Sequence, residues 1–367
     1  MALFSKIGKL QKQAIGVYRQ NRSISQTIRY LTRYVIRRAP IVAHRIFATE
    51  RPSARSRSGG GNDLRIAILL LGGVGDHVVA ARFVRDLLAA SGPFKFDTFS
   101  ATRDVAKWIF KSFENASGGF YDTQFDGAKK NYDAALIISN FIDISHYDLV
   151  NVQDEITKAS FDKMFDQIVK FNETIPLFQK NRLIMRTFVD NRLQFMGFRR
   201  SNALHGIAGL QYSGDLFPLE LDNTLWGEVS GLKGPYITVH NGFEFHNITS
   251  SLRATKCYPH FDRVVSILKH RFNKLSVVQI GTKTSIPIPN VDLNLVSKTT
   301  LPQASAIIKD AICHLDNESG MVHIASCFST PCCVVFGPTP PDYFGYDGNI
   351  NIRPQRCGGC WWIMRGA

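Results

Sequence analysis

A chain of 367 residues, 44% apolar and 20% charged, is globular in composition and long enough for two domains, because a single core rarely grows past about 250 to 300 residues. No run approaches the roughly 18 uninterrupted apolar residues of a membrane-spanning helix, so none is expected. The net charge of +14 suggests nucleic acid until it is located: thirteen Lys or Arg against only Glu50 and Asp63 precede Leu64, the remainder is nearly neutral, and nucleic-acid binding is not expected.

Residues 1–62 read as a basic amphipathic extension and linker. Between Ser23 and Arg38, the apolar Ile24, Ile28, Leu31 and Val35 fall at helical spacing, with Arg22, Arg29, Arg33 and Arg37 on other faces. Such a stripe suits an anionic membrane surface, and equally a protein partner or the body of the protein itself. Arg51 to Asn62 has linker composition. Seven cysteines and no secretory signal lead to the expectation of a cytoplasmic protein, peripheral on the inner face of the plasma membrane if the extension binds lipid.

The body opens with LRIAILLLGGVGDHVVAARF: a buried strand over Ile66–Leu71, a turn at Gly72, Gly73 and Gly75, and a helix over Val78–Ala90. Read as a dinucleotide fingerprint, the turn gives Gly73, Gly75 and Val78, with Asp97 downstream for a ribose. Asp76 argues against that, since a carboxylate in the first turn repels the pyrophosphate that the helix dipole attracts. An NAD(P)-dependent oxidoreductase therefore stays as an alternative only, and the lack of Gly-Lys-Ser/Thr rules out a P-loop.

Further elements follow in alternation. Phe94–Ser100 and Tyr132–Ser139 read as strands, Arg103–Phe113 as a helix, and residues 150 to 200 as a helical insertion or flank. A second series starts near Pro235, with strands at Tyr236–His240, Leu275–Ile280, Leu293–Val296, Ile312–Leu315 and Cys332–Phe336 and helices at Tyr258–Phe272, Leu301–Lys309 and Ser319–Phe328. This pattern predicts two doubly wound α/β domains, residues 63–232 and 233–367, with ligands in the crevice between them.

In CHLDNESGMVHIASCFSTPCCVVFGPT, a helix opens at Ser319-Gly320, where the backbone N–H groups of Gly320, Met321 and Val322 would be unpaired and could receive a diphosphate. Glu318 is placed to accept from sugar hydroxyls. His323 lies one turn in; it is a ligand or a half-buried core histidine, just as Ser319 is a ligand or an N-cap.

Four blocks in order, GGVGD after the first strand, Lys256-Cys-Tyr-Pro259, Leu301-Pro-Gln303, and Glu318-Ser-Gly-x-x-His323 followed by Phe-Gly-Pro-Thr, resemble the heptosyltransferases of glycosyltransferase family 9. The resemblance extends over about Leu64 to Thr339. It implies a GT-B fold: two Rossmann-like domains facing a central cleft, the first for the acceptor and the second for a nucleoside-diphosphate sugar such as an ADP-heptose. It also implies inverting, metal-independent transfer without a cofactor, to a glycan, lipid-linked or protein acceptor of the lipopolysaccharide type. Carried over by position, Asp76 is the catalytic aspartate of the first turn, with Gly72, Gly73 and Gly75 on the acceptor side. Lys256, Glu318, Ser319, Gly320, Met321 and His323 bind the donor. The chain departs from the family in three places: Glu318 stands for the usual Asp, Tyr258 for the usual Trp, and no acid follows Gly281.

Cys357 and Cys360 have the spacing of half a tetrathiolate site, but no further cysteine follows them, so no metal is assigned. A non-catalytic GT-B-like nucleotide-sugar-binding or scaffold protein remains the other alternative. Which nucleotide, sugar and acceptor, and the oligomeric state, stay open.

Overall fold

The computed structural model describes residue 52 and residues 64–150, 152–174, 186–232, 234–242, 257–283 and 285–355. The basic extension, Lys256, and the Cys357/Cys360 pair lie outside the described residues.

The first sheet is built from β1 (Arg65–Leu70), β2 (Lys95–Ser100), β3 (Ala116–Tyr121), β4 (Ala134–Ile138) and β5 (Ile142–Tyr147), in the order β3-β2-β1-β4-β5. The pairs β1·β2, β2·β3 and β1·β4 are parallel, and β5 closes the edge antiparallel to β4. Helix α1 (Val74–Ser91) follows β1, α2 (Arg103–Ile109) follows β2, and one turn, α3 (Phe125–Ala128), follows β3. After β5 come α4 (Glu155–Glu173), α5 (Arg186–Phe195), α6 (Ala203–Ala208) and α7 (Trp226–Ser230), the first two in the stretch expected to be helical.

The second sheet holds β6 (Tyr236–His240), β7 (Ser276–Gln279), β8 (Leu293–Asn294), β9 (His314–Asn317), β10 (Cys332–Val335) and β11 (Ile350–Ile352), in the order β11-β10-β9-β6-β7-β8 and parallel throughout. Its helices are α8 (Phe261–Arg271), α9 (Leu301–Lys309), α10 (Gly320–Cys327) and α11 (Pro341–Phe344). Among the described residues, no helix is long and apolar enough to cross a membrane.

The side-chain alternation of β1 shows how both faces of a sheet are covered. Ile66, Ile68 and Leu70 enter the main core, while Ala67 joins Phe99, Phe125 and Tyr132 on the opposite face. The main core is continuous from Leu64 and Phe83 of the first half to Ile324 and Tyr346 of the second, and both sheets belong to one compact unit.

Several boundaries moved for physical reasons. Helix α1 begins at Val74, four residues before the expected start, because the glycine turn is completed by Gly73 as N-cap. Strand β9 runs over His314–Asn317 rather than Ile312–Leu315, since the polar side chains of His314 and Asp316 are paired inside the protein. Three strands had no expectation: Gly118 and Gly119 hide β3, β5 is the antiparallel edge, and β11 is only three residues long.

Candidate active site

In a doubly wound sheet, the ligand crevice opens beyond the carboxyl ends of the two strands from which the order runs in opposite directions. Here those pairs are β1/β4 in the first sheet and β9/β6 in the second. The glycine turn at Gly72–Gly75 and the polar Ser139-Asn140 lie at the first. His240 and the Asn317–Gly320 turn lie at the second.

The first turn is shaped around Asp76. Gly72 has φ +107°, which favours glycine, and a Cβ there would overlap the Asp76 carboxylate. Asp76 Oδ2 accepts from the Gly73 N–H at 3.0 Å, and Oδ1 accepts from Arg200 Nη2 at 2.6 Å. The Asp76 side chain keeps 20% of its exposure, whereas Arg200 is 3% exposed. Arg200 Nη2 also donates to Ser139 O at 3.1 Å, so the acid of one strand end is tied to the other. Burial would lower the Arg200 pKa, but the Asp76 charge beside it raises it. Next to Asp76, His77 is buried between Gly73 O (2.7 Å) and Ser100 Oγ (2.8 Å), and burial pulls its pKa down.

The second turn is built on a carboxylate that sequence reasoning missed. Asp316 is fully buried; its Oδ1 faces His240 Nδ1 at 2.8 Å, and its Oδ2 faces His314 Nε2 at 3.2 Å and receives the Ser319 hydroxyl. Burial alone would push this carboxyl up; the charge and hydrogen bond of His240, then those of His314, outweigh it and hold the pKa at about 2. Thr238 Oγ1 supports the far side of His314 at 2.8 Å. Ser319 Oγ in turn accepts from the Met321 N–H at 3.1 Å, so one of the three N–H groups expected to be free is already capped. Helix α10 thus starts from a fixed, buried anchor.

The remaining blocks close around this turn. Thr339 of the Phe-Gly-Pro-Thr stretch donates to Glu318 Oε2 at 3.1 Å. The Tyr258 N–H donates to Asn317 Oδ1 at 2.7 Å, which ties the chain just after the lysine position to the end of β9. Leu301-Pro302-Gln303 forms a capping box: the Thr300 N–H donates to Gln303 Oε1 at 2.8 Å, and the Gln303 N–H donates back to Thr300 Oγ1 at 3.4 Å.

The two turns meet. A Cβ on Gly75 would overlap the His323 ring, and one on Gly320 would stand 3.1 Å from both Gly75 N and Val74 Cβ. The helix starts of α1 and α10 are therefore in close contact, with Asp76 on one and Ser319-Gly320 on the other. His323 Nδ1 bonds the Tyr346 hydroxyl at 2.6 Å, and that hydroxyl also accepts from the fully buried Arg82 at 2.9 Å. Arg82 further donates to Ser326 Oγ at 2.9 Å and reaches Asp215 at 3.4 Å, making a polar knot between α1 and α10. Asp97, the candidate ribose acid of the oxidoreductase alternative, is buried in mid-strand and accepts from Tyr132 OH at 2.6 Å, away from either strand end.

Residues 245–352 match the model of glycosyltransferase family 9 (heptosyltransferase). Over these residues the chain is similar to the family 9 glycosyltransferases. A curated relative, lipooligosaccharide heptosyltransferase 2 of Haemophilus influenzae, is 37% identical over 51 residues, which span 14% of this chain and 15% of that protein. Among solved structures, a family 9 glycosyltransferase of Veillonella parvula superposes with a TM-score of 0.51 at 13% identity, covering 80% of this chain and 88% of that one. ADP-heptose LPS heptosyltransferase II of E. coli gives 0.50 at 15% identity, covering 81% and 92%. These likenesses show a GT-B fold for this chain, as the sequence blocks implied.

Proposed function

We propose that the protein is an inverting, metal-independent glycosyltransferase that moves a heptose-like sugar from a nucleoside diphosphate to a lipopolysaccharide-type saccharide acceptor. The observation that carries this reading is the contact between the two strand-end turns, one bearing an acid paired with Arg200 and the other an anchored helix start. Inverting transfer needs a base on one side of the anomeric carbon and hydrogen-bond donors for the departing diphosphate on the other. Asp76 takes the proton of the acceptor hydroxyl; the N-terminus of α10, with Lys256, receives the diphosphate. Residues 63–232 form the acceptor side and residues 233–367 the donor side. The names of the relatives, an ADP-heptose enzyme and a lipooligosaccharide heptosyltransferase, support ADP-heptose as the first donor to try.

The test is incubation of the full chain with ADP-heptose and a lipopolysaccharide-core acceptor, with and without EDTA, followed by mass spectrometry of the acceptor and NMR of the new linkage. Transfer with inverted configuration that survives EDTA is expected; a retained configuration or a strict metal requirement overturns the mechanism. Residues 1–62 are proposed to hold the enzyme on an anionic cytoplasmic membrane face. Full-length protein should sediment with phosphatidylglycerol vesicles at low salt and come off at high salt, and failure to sediment removes that assignment.

A further inference from the structure

We infer that His77 is a positioning residue for Asp76: its ring and the Asp76 carboxylate grip Gly73 from opposite sides and set the torsions that decide where that carboxylate stands. The inference rests on the reading of Asp76 as the base of the transfer.

A glycine turn does not hold its own shape, because glycine has no side chain to pack and loses more conformational freedom on folding than any other residue. Gly73 is the N-cap of α1, at φ −101° and ψ −166°, and its two torsions set the direction in which the helix, and Asp76 with it, leaves β1. Both ends of this one residue are held from the first turn of α1 itself. The Gly73 N–H donates to Asp76 Oδ2 at 3.0 Å. The Gly73 carbonyl accepts from His77 Nδ1 at 2.7 Å, in addition to the His77 backbone N–H at 3.1 Å. The first contact bears on φ and the second on ψ, so two consecutive side chains close the freedom that the glycine opens.

The ring is fixed in turn from β2. Gly73 O can only accept, so Nδ1 carries a proton. His77 has no exposure and burial draws its pKa down, so the ring is neutral near pH 7 and Nε2 accepts. Ser100 Oγ, at the carboxyl end of β2, lies 2.8 Å from Nε2 and accepts from the Thr102 N–H at 3.0 Å, which leaves its own proton for the ring. The chain of bonds runs one way, from Thr102 through Ser100 and His77 to Gly73 O, and a buried polar chain with every member paired stiffens the backbone on which it ends. An apolar side chain would fill this place beside the buried Val78 and Val79 with no polar group to satisfy, and it would release the Gly73 carbonyl. Arg200 holds the other oxygen of Asp76, so the carboxylate is fixed from across the cleft as well as from its own turn. Misplacing a reacting group by about 1 Å can cost roughly 10² in rate. A slack turn should therefore show in turnover, and not in binding of the donor on the opposite turn.

The experiment is steady-state kinetics of the full chain with ADP-heptose and a lipopolysaccharide-core acceptor, beside thermal melting, for the wild type, His77→Asn, His77→Gln and His77→Leu. The amide nitrogen of asparagine stands as far from Cβ as a histidine Nδ1, and that of glutamine as far as Nε2. His77→Asn thus keeps the bond to Gly73 and should retain kcat within about threefold of wild type, while His77→Gln and His77→Leu should lower it roughly tenfold or more. KM for ADP-heptose should be unchanged in all three, and the melting temperature should fall most in His77→Asn, the smallest side chain. A role in filling space alone gives the opposite order of turnover. Gln or Leu variants as active as His77→Asn therefore overturn the inference, and so does a loss that falls on KM for ADP-heptose instead of kcat. Should the His77 variants fail to fold, Ser100→Ala carries the test: kcat should fall severalfold at constant KM, and an unchanged kcat rules the positioning role out. Without any substrate, NMR of protein labelled in its histidine rings should show His77 protonated at Nδ1; a ring protonated at Nε2 alone contradicts the grip on Gly73. Normal turnover in Asp76→Asn/Arg200→Gln removes the catalytic reading of Asp76 and this inference with it, whereas a silent His77 series beside an inactive Asp76 variant removes this inference alone.

Discussion

Both oxygens of Asp76 are engaged, one with the Gly73 N–H and one with Arg200. This changes what substitution can prove. In Asp76→Asn the amide NH₂ must face either Arg200 or the Gly73 N–H, both donors, and a buried guanidinium is left without its counter-charge. A loss of about 2 to 3 kcal/mol is expected, below the usual range for a buried pair because Asp76 is 20% exposed. Asp76→Asn/Arg200→Gln removes the stranded charge, so its melting temperature should recover while turnover stays down by roughly 10² or more. Normal turnover in that double variant would return Asp76 to a purely structural role. Asp316 gives a second prediction at this scale. Its folded pKa of about 2 lies below the ordinary aspartate value of 3.8, so its stabilising contribution, on the order of 2 kcal/mol, is complete above about pH 4 to 5 and is lost as pH falls towards 2. Urea unfolding at pH 5, 3 and 2 should show the wild-type advantage over Asp316→Asn shrinking across that window; a constant difference would mean the carboxylate is not held ionised.

The helices and strands around the cleft were largely legible because hydrophobic period and glycine position are local signals. Leu301–Lys309 was read to the residue, since its capping box lies within three positions. What could not be read depends on partners far away in sequence: Asp316 meets His240 across 76 positions and Arg200 meets Asp76 across 124. Polar residues at His314 and Asp316 looked like the end of a strand, when they are its buried centre. The glycines of the first turn carried a true signal with a different cause. Gly72 makes room for the Asp76 carboxylate and Gly75 for the His323 ring, and neither observation involves a phosphate. Gly75→Ala should therefore force α1 and α10 apart, at a cost of about 1 to 3 kcal/mol, and lower both melting temperature and turnover. Adding His323→Ala should restore part of the melting temperature. If it deepens the loss instead, the close approach at Gly75 does not limit the contact.

At the scale of the whole molecule, two sheets need not mean two folding units. The main core includes Ile66 and Phe83 from the first half and Ile324, Val334 and Tyr346 from the second, without a break between them. Across the same boundary, Arg82 of α1 is bonded to Ser326 and Tyr346, and the Arg200 N–H donates to Tyr343 O at 2.7 Å. A guanidinium with no exposure cannot leave these partners for water without opening the core, because an unpaired buried charge is too costly to populate. The halves should therefore lose structure together, and calorimetry of the full chain should show one main transition for the body. Arg82→Ala, which leaves a void and takes a donor away from Tyr346, Ser326 and Asp215, should lower the transition temperature by several degrees, consistent with a loss of about 3 kcal/mol in a protein of this size. It should not split the transition, since the apolar core still joins the halves. Two separate transitions in the wild type would show that the continuity of the core does not couple the sheets; splitting only in Arg82→Ala would place that coupling in the polar knot instead.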